Sequence, residues 1–129
     1  DSQDNTLIAK RKNVSTYAGR YELVPSGHFD RKNVNWVDGN LEREFVEETG
    51  LSKYVIDEIC YLDTVYDPDM DCLDFVSIIH IKGKLNSYMD MIKSDEYEDY
   101  QVVPIKELKG DDSHLIRTSK EVLKLINDY

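Results

Sequence analysis

Three glutamates and an arginine crowd one short stretch, Arg43-Glu44-Phe45-Val46-Glu47-Glu48-Thr49-Gly50-Leu51. On a helix, Glu44, Glu47 and Glu48 stand at i, i+3 and i+4, so their side chains share one face. Three like charges so placed repel one another. A divalent cation among them relieves the repulsion, and carboxylate oxygens suit Mg²⁺ or Mn²⁺. Val37, Leu41 and Phe45 recur every four residues on the opposite stripe and are expected to anchor the helix to a sheet. Arg43 lies four residues before Glu47 and is expected to pair with it, fixing the carboxylate's orientation. The competing reading is a solvated, Glu-rich helix face with Arg43 in an ordinary surface salt bridge.

The elements that must position this stretch are legible around it. Trp36 to Thr49 reads as a helix, and Gly50 sits where a helix C-cap belongs. Thr6 to Lys12 reads as a strand, and Tyr21 to Val24 as a short one closed by Pro25-Ser26-Gly27. Tyr54 to Tyr66 and Leu73 to Ile81 are rich in β-branched and aromatic residues. They bracket Asp67-Pro68-Asp69 and predict a long hairpin. Leu85 to Glu96 is a polar connection, and Tyr97 to Val103 a strand ended by Pro104. Ser113 is placed to cap a final helix with Leu115, Val122, Leu123 and Ile126 on one face. Without a regular βαβ rhythm, these elements predict a mixed sheet with helices on both faces.

The chain's 129 residues make one domain's worth, with no repeat, low-complexity tract or Pro-rich linker to divide it. Hydrophobic residues make up 40%, which argues against disorder. Its net charge of -10 would be repelled by nucleic-acid backbones and by anionic membranes, so a basic-face nucleic-acid binder is excluded. A small polyanion would need a local solution such as a metal ion. No apolar run is long enough to span a bilayer, and no signal peptide is visible, so a cytoplasmic location is expected. Cys60 and Cys72 are too few and too far apart for a zinc site or redox pair. Folded about the Asp67-Pro68 turn, Cys60 is expected to face Ser77 and Cys72 to face Val65. Reduced, partly buried thiols follow from that.

The glutamate stretch and its flanks resemble the Nudix hydrolases, whose box reads G-x5-E-x7-R-E-U-x-E-E-x-G-U with U apolar. Arg43, Glu44, Phe45, Glu47, Glu48, Gly50 and Leu51 fill every position of its C-terminal half. Gly19 to His28 is similar to the strand and glycine turn before the box, and Thr6 to Lys12 to the strand before that. Tyr100 to Pro104, followed by Glu107-Leu108, is similar to the last strand and short helix. The resemblance implies a single Nudix domain over 1–129, an α+β fold built as an α/β/α sandwich with a mixed β-sheet between helices. There are two departures. The loop from Gly27 to Arg43 is about two residues longer than the box's spacing, which puts Asn35 at its first Glu position, with Asp30 nearby. The family usually has a strand before the one at Thr6, where only five residues stand here, so the resemblance leads one to expect that strand to be missing or disordered, or a partner chain to complete the sheet in a homodimer.

By the same resemblance, the substrate is a nucleoside diphosphate derivative: a nucleoside triphosphate, ADP-ribose or an NDP-sugar. Its diphosphate linkage would be cleaved by water with Mg²⁺, or Mn²⁺, as cofactor. Gly27, through its carbonyl, and Glu44, Glu47 and Glu48 would hold the metal. Glu44, Arg43 and Glu47 are the candidate catalytic residues. Glu44 is the first choice for the base, and Arg43 orients the glutamates. Asp95, Glu96, Glu98 and Asp99 are alternatives for the base. Two rivals share the fold: a nucleotide-binding module that does not cleave, and a prenyl-diphosphate isomerase.

Other residues weigh less. Asp67-x-Asp69-x-Asp71 starts like a calcium loop but has Cys72 and Ile78 at the sixth and twelfth positions, so a solvated turn is expected. His28 reads as a turn residue, His80 as a strand residue, and His114 has no evident partner. No spacing suggests a Ser-His-Asp triad. Tyr17, Tyr21, Tyr66, Tyr97 and Trp36 are candidate stacking surfaces for a base, although tyrosines mostly pack strands and cores.

Overall fold

Leu7, Ile8 and Ala9 are buried in succession, which a strand achieves only when both of its faces are covered. They lie at the centre of β1, Asn5–Arg11. The structure, a computed structural model, describes residues 1–12, 19–25, 36–67, 71–108 and 115–128. The further elements are β2 (Tyr21–Leu23), α1 (Trp36–Thr49), β3 (Ile56–Asp67), β4 (Cys72–Ile81), β5 (Tyr97–Pro104) and α2 (Arg117–Asp128). Single 3₁₀ turns occupy Lys53–Val55, Leu85–Tyr88 and Ile105–Glu107.

β1 is the middle strand of an antiparallel sheet ordered β2-β1-β5. Its two faces lead to two cores. Leu7 joins Phe45 of α1 with Leu51, Ile81, Leu85 and Ile92. Ile8 joins Leu108, Leu115 and Leu123 of α2. One helix therefore packs on each side of the sheet, as the sandwich expectation requires. The described ladders are antiparallel, and the parallel component is a bridge between Tyr21 and Leu115.

α1 has the bounds read from the sequence. Gly50 closes it with φ +74°, its N–H donating to the Val46 carbonyl at 2.9 Å. The helix end is then bound from outside. The Lys93 N–H donates to the Thr49 carbonyl at 3.0 Å, and the Tyr100 hydroxyl donates to the Glu48 carbonyl at 2.7 Å. Those carbonyls have no intrahelical partner, so these bonds both satisfy them and fix the glutamate-bearing end against β5. Phe45 is buried as expected and Leu41 half-buried; the side chain of Val37 lies outside the described residues.

Two expectations need correction. α2 begins at Arg117, so Ser113, which itself lies outside the described residues, stands too far upstream to cap it. Leu115 instead bridges to Tyr21, and the Ile116 N–H donates to the Tyr21 carbonyl at 3.0 Å, docking the chain on β2 before the helix starts. In the β3–β4 hairpin, Cys60 faces Ile78 and Cys72 faces Asp67. Pairing closes right up to Asp67 and Cys72, and two irregularities, between Ile56 and Glu58 and between Tyr61 and Asp63, shift the register along the ladder. Cys60 is a free thiol. Cys60 and the Asp67 opposite Cys72 are seven positions apart on β3, roughly 23 Å, well beyond disulfide reach. Among the described residues, no helix is long and apolar enough to cross a membrane.

Candidate functional site

The three glutamates of α1 share a helix but meet three different surroundings. Glu47 is exposed, at 56% for its side chain. Glu44 is half-buried, and Glu48 is buried at 1%. Arg43 reaches both Glu44 and Glu47: its Nη2 lies 3.0 Å from Glu44 Oε1, and its Nε 3.9 Å from Glu47 Oε1. The i,i+4 pair read from the sequence is present, but the neighbouring Glu44 is the closer partner. Burial raises the Glu44 carboxyl above its ordinary range, against the lowering effect of Arg43, and the charges of Glu47 and Glu96 add to the rise.

Glu48 belongs to a buried polar network that the sequence reading missed. The Tyr97 hydroxyl donates to Glu48 Oε1 at 2.7 Å and also contacts Glu22 Oε1. Arg11 Nη1 donates to the same Glu22 oxygen at 2.8 Å. The sheet register assembles these groups: Arg11 on β1 lies opposite Tyr97 on β5, and Glu22 on β2 lies opposite Ala9, two positions along β1. A phenol carries one proton, so Tyr97 can satisfy only one of the two carboxylates by donation. The other is accommodated best when it keeps its own proton. Burial raises the Glu22 carboxyl, outweighing the opposing pull of Tyr97 and Arg11, so Glu22 keeps its proton to a higher pH than an ordinary glutamate. Its second oxygen, Oε2, is buried with no hydrogen-bond partner. Burial of the phenol, with the charges of the two carboxylates added, raises Tyr97 far above the usual tyrosine range, so it stays a donor. The one sequence signal for Glu22 is a charged residue inside the short apolar strand Tyr21–Leu23.

The acidic candidates beside β5 divide. Asp99 accepts from the Tyr21 hydroxyl at 2.6 Å, which holds its carboxyl below the usual range, and Glu98 pairs with Lys10 at 3.6 Å. Glu96 is the one whose charge acts on both Glu44 and Glu22. Tyr21 and Tyr97 are engaged by carboxylates, and Tyr66 donates to Asp71 at 2.6 Å. Gly27, His28, Asp30, Asn35, Tyr17 and the side chain of Trp36 lie outside the described residues.

Among the described residues, the three metal-ligating side chains whose donor atoms all lie within 4.8 Å of one another are Glu58, Cys60 and His80, on the β3–β4 hairpin. From sequence, Cys60 and Cys72 are too few and too widely spaced for a zinc site and His80 reads as a strand residue; strand pairing is what brings Cys60 and His80 together with Glu58.

No family model matches the chain, and no curated protein does either. A solved structure does: the NUDIX domain of Shewanella oneidensis NrtR complexed with ADP ribose. The match has a TM-score of 0.65 over 99% of this chain and 79% of that one, at 16% identity. The chain has the Nudix fold. Within the Nudix fold, α1 is the element whose Arg-Glu-x-x-Glu-Glu sequence matched the family's box. The expectation for the architecture is met.

Proposed function

We propose that this chain is a Mg²⁺-dependent pyrophosphohydrolase of nucleoside diphosphate derivatives, with α1 as its metal-binding helix. The carrying observation is the Arg43-Glu44-x-x-Glu47-Glu48 sequence on α1 of a Nudix fold whose solved neighbour holds ADP-ribose. The donor types suit a hard divalent cation: Glu44, Glu47 and Glu48 offer carboxylate oxygens alone, and Glu44 and Glu47 both reach one cationic group in Arg43. Glu44, Glu47 and Glu48 would hold the ion, with the Gly27 carbonyl as a further ligand. When bound, Mg²⁺ neutralises phosphate charge and acidifies a coordinated water.

The protein's own part is orientation and proton removal. Arg43 holds Glu44 and Glu47 by their Oε1 atoms. Tyr97 holds Glu48. Glu44, with its carboxyl raised by burial, takes the proton as water adds to phosphorus and the P–O anhydride bond breaks. The products are a nucleoside monophosphate and a phosphorylated remainder. Glu96 is the alternative base.

A second reading is a nucleotide-binding module that does not cleave. It is favoured by the burial of Glu48, whose carboxylate Tyr97 already engages. The test is a panel of ADP-ribose, NDP-sugars, nucleoside triphosphates and dinucleoside polyphosphates with Mg²⁺ or Mn²⁺. Turnover of one class is expected, and it should fall at least ~100-fold in Glu47→Gln/Glu48→Gln, since the metal contributes several kcal/mol at the transition state. ADP-ribose binding without turnover of any compound selects the second reading. Full turnover in the double variant removes these glutamates from the site.

A further inference from the structure

The outer part of the β3–β4 hairpin holds a carboxylate, a thiol and an imidazole in one place. Glu58 and Cys60 are two positions apart on β3, so they share a face of the strand. His80 on β4 is the direct cross-strand partner of Glu58. Paired side chains project to the same face, so all three converge, and their donor atoms lie within 4.8 Å of one another. The opposite face is apolar: Ile79, beside His80 on β4, packs on the α1 core. The strand thus has a core face that fixes it and an outer face that carries the ligands.

The backbone here is shaped as well. Register irregularities lie between Ile56 and Glu58 and between Tyr61 and Asp63, and they bracket the segment that carries Glu58 and Cys60. Bulges of this kind re-aim side chains and increase local twist, and they concentrate next to functional sites. Without the pairing they produce, Glu58 would not sit opposite His80.

We propose that Glu58, Cys60 and His80 form a binding site for a borderline-soft divalent cation, Zn²⁺, separate from α1. One sulfur, one nitrogen and one oxygen ligand are the donor types that Zn²⁺ takes in tetrahedral geometry. Three protein ligands leave the fourth position for water or an external group. The thiolate is what distinguishes this site from the all-oxygen donors of α1. It selects against Mg²⁺, which prefers oxygen and an octahedron. Glu58 and His80 are exposed and Cys60 half-buried, so an ion reaches the site from solvent without any rearrangement of the core. The ion would tie β3 to β4 across the ladder.

Titration of the full chain with Co²⁺, a spectroscopic substitute for Zn²⁺, tests the assignment. One equivalent should bind with a thiolate-to-cobalt charge-transfer absorption, and Zn²⁺ should displace it. Excess Mg²⁺ should leave the absorption in place. Removing a direct ligand should cost at least as much as removing a supporting residue, which typically weakens metal binding 10–100-fold. Cys60→Ser should therefore abolish the absorption, and Glu58→Gln and His80→Asn should each weaken binding at least ~10-fold. In the unmodified chain, Zn²⁺ should slow alkylation of Cys60 far more than that of Cys72, a readout that needs no variant to fold. The proposal is overturned if Co²⁺ binds without the charge-transfer band. It is equally overturned if the band survives Cys60→Ser, or if Zn²⁺ slows alkylation of Cys60 and Cys72 equally.

Discussion

Tyr97 is the residue on which the buried half of the candidate site turns. Its single hydroxyl proton lies between Glu48 of α1 and Glu22 of β2, so it couples the glutamate helix to the sheet. Tyr97→Phe keeps the ring and deletes the donor, leaving buried carboxylate oxygens short of a partner. That should cost about 1–3 kcal/mol in urea denaturation. If Tyr97 also orients Glu48, the variant should need more Mg²⁺ for half-maximal turnover. A variant as stable as the parent would show that the phenol contributes nothing to holding the carboxylates. Glu22 gives a pH signature with a definite sign. Unfolded, it titrates near the ordinary value of about 4.3; folded, burial raises it. Between those two values the folded chain binds more protons than the unfolded one. Stability therefore falls as pH rises through that window, and it levels off above the folded value. Glu44, also raised, adds a descent of the same sign. Glu22→Gln should flatten part of the descent in urea midpoints measured from about pH 4 to pH 8. An unchanged slope would assign the whole effect to other carboxylates.

At the scale of elements, α1 is held by its C-terminal end. Gly50 adopts φ +74°, and a Cβ there would come within 2.9 Å of the Lys93 carbonyl oxygen. Backbone atoms cannot yield as a flexible side chain would. Gly50→Ala should therefore cost more than the ~1–2 kcal/mol of the left-handed conformation alone, and lower Tm by several degrees. A Tm within a degree of the parent would mean that the connection at Lys93 is free to move. This end of α1 was readable from sequence because its causes are local: helical spacing of apolar residues, then a glycine. The strands of β1, β2 and β5 were readable for the same reason. The hairpin register was not, because bulges arise from how two strands accommodate each other, and a shift of one or two positions leaves the composition of each strand unchanged. The Glu22–Tyr97–Glu48 network and the Glu58–Cys60–His80 group escaped for a related reason. Each gathers residues from separate elements, and only strand pairing or packing brings them together. Ser113 misled because a cap residue is meaningful only where the helix starts, and docking of Leu115 and Ile116 on Tyr21 delays that start to Arg117.

At the scale of the whole molecule, the β2-β1-β5 sheet separates the helix that carries the candidate site from the helix that packs on its other face. Leu7 and Ile8, adjacent on β1, enter different cores, one built with α1 and the other with α2. α1, with its glutamates, packs on the first through Phe45, and Tyr97 reaches Glu48 from β5. Leu123, at 0% exposure, is at the centre of the second. This division makes an architectural prediction. Leu123→Ala leaves a cavity beneath α2 and should lower stability by about 2–5 kcal/mol in urea denaturation. Phe45→Ala should cost about 3–5 kcal/mol on the other side. The two should part company at the site. Phe45 lies between Glu44 and Glu48 in sequence, and its ring seats that stretch of helix on β1. Loss of the ring should raise the Mg²⁺ concentration for half-maximal turnover. Leu123→Ala should leave that concentration unchanged, measured well below its own Tm. Equal shifts in both variants would mean that β1 transmits a disturbance from one core to the other, and that the two layers act as one packing unit. The net charge of -10 fits the divided picture. Its dispersed part is solvated and weakly felt through salt. The carboxylates gathered on α1 depend on how rigidly that one helix is seated, so their response to Phe45→Ala, and not to Leu123→Ala, is the measurement that separates a built site from an acidic surface.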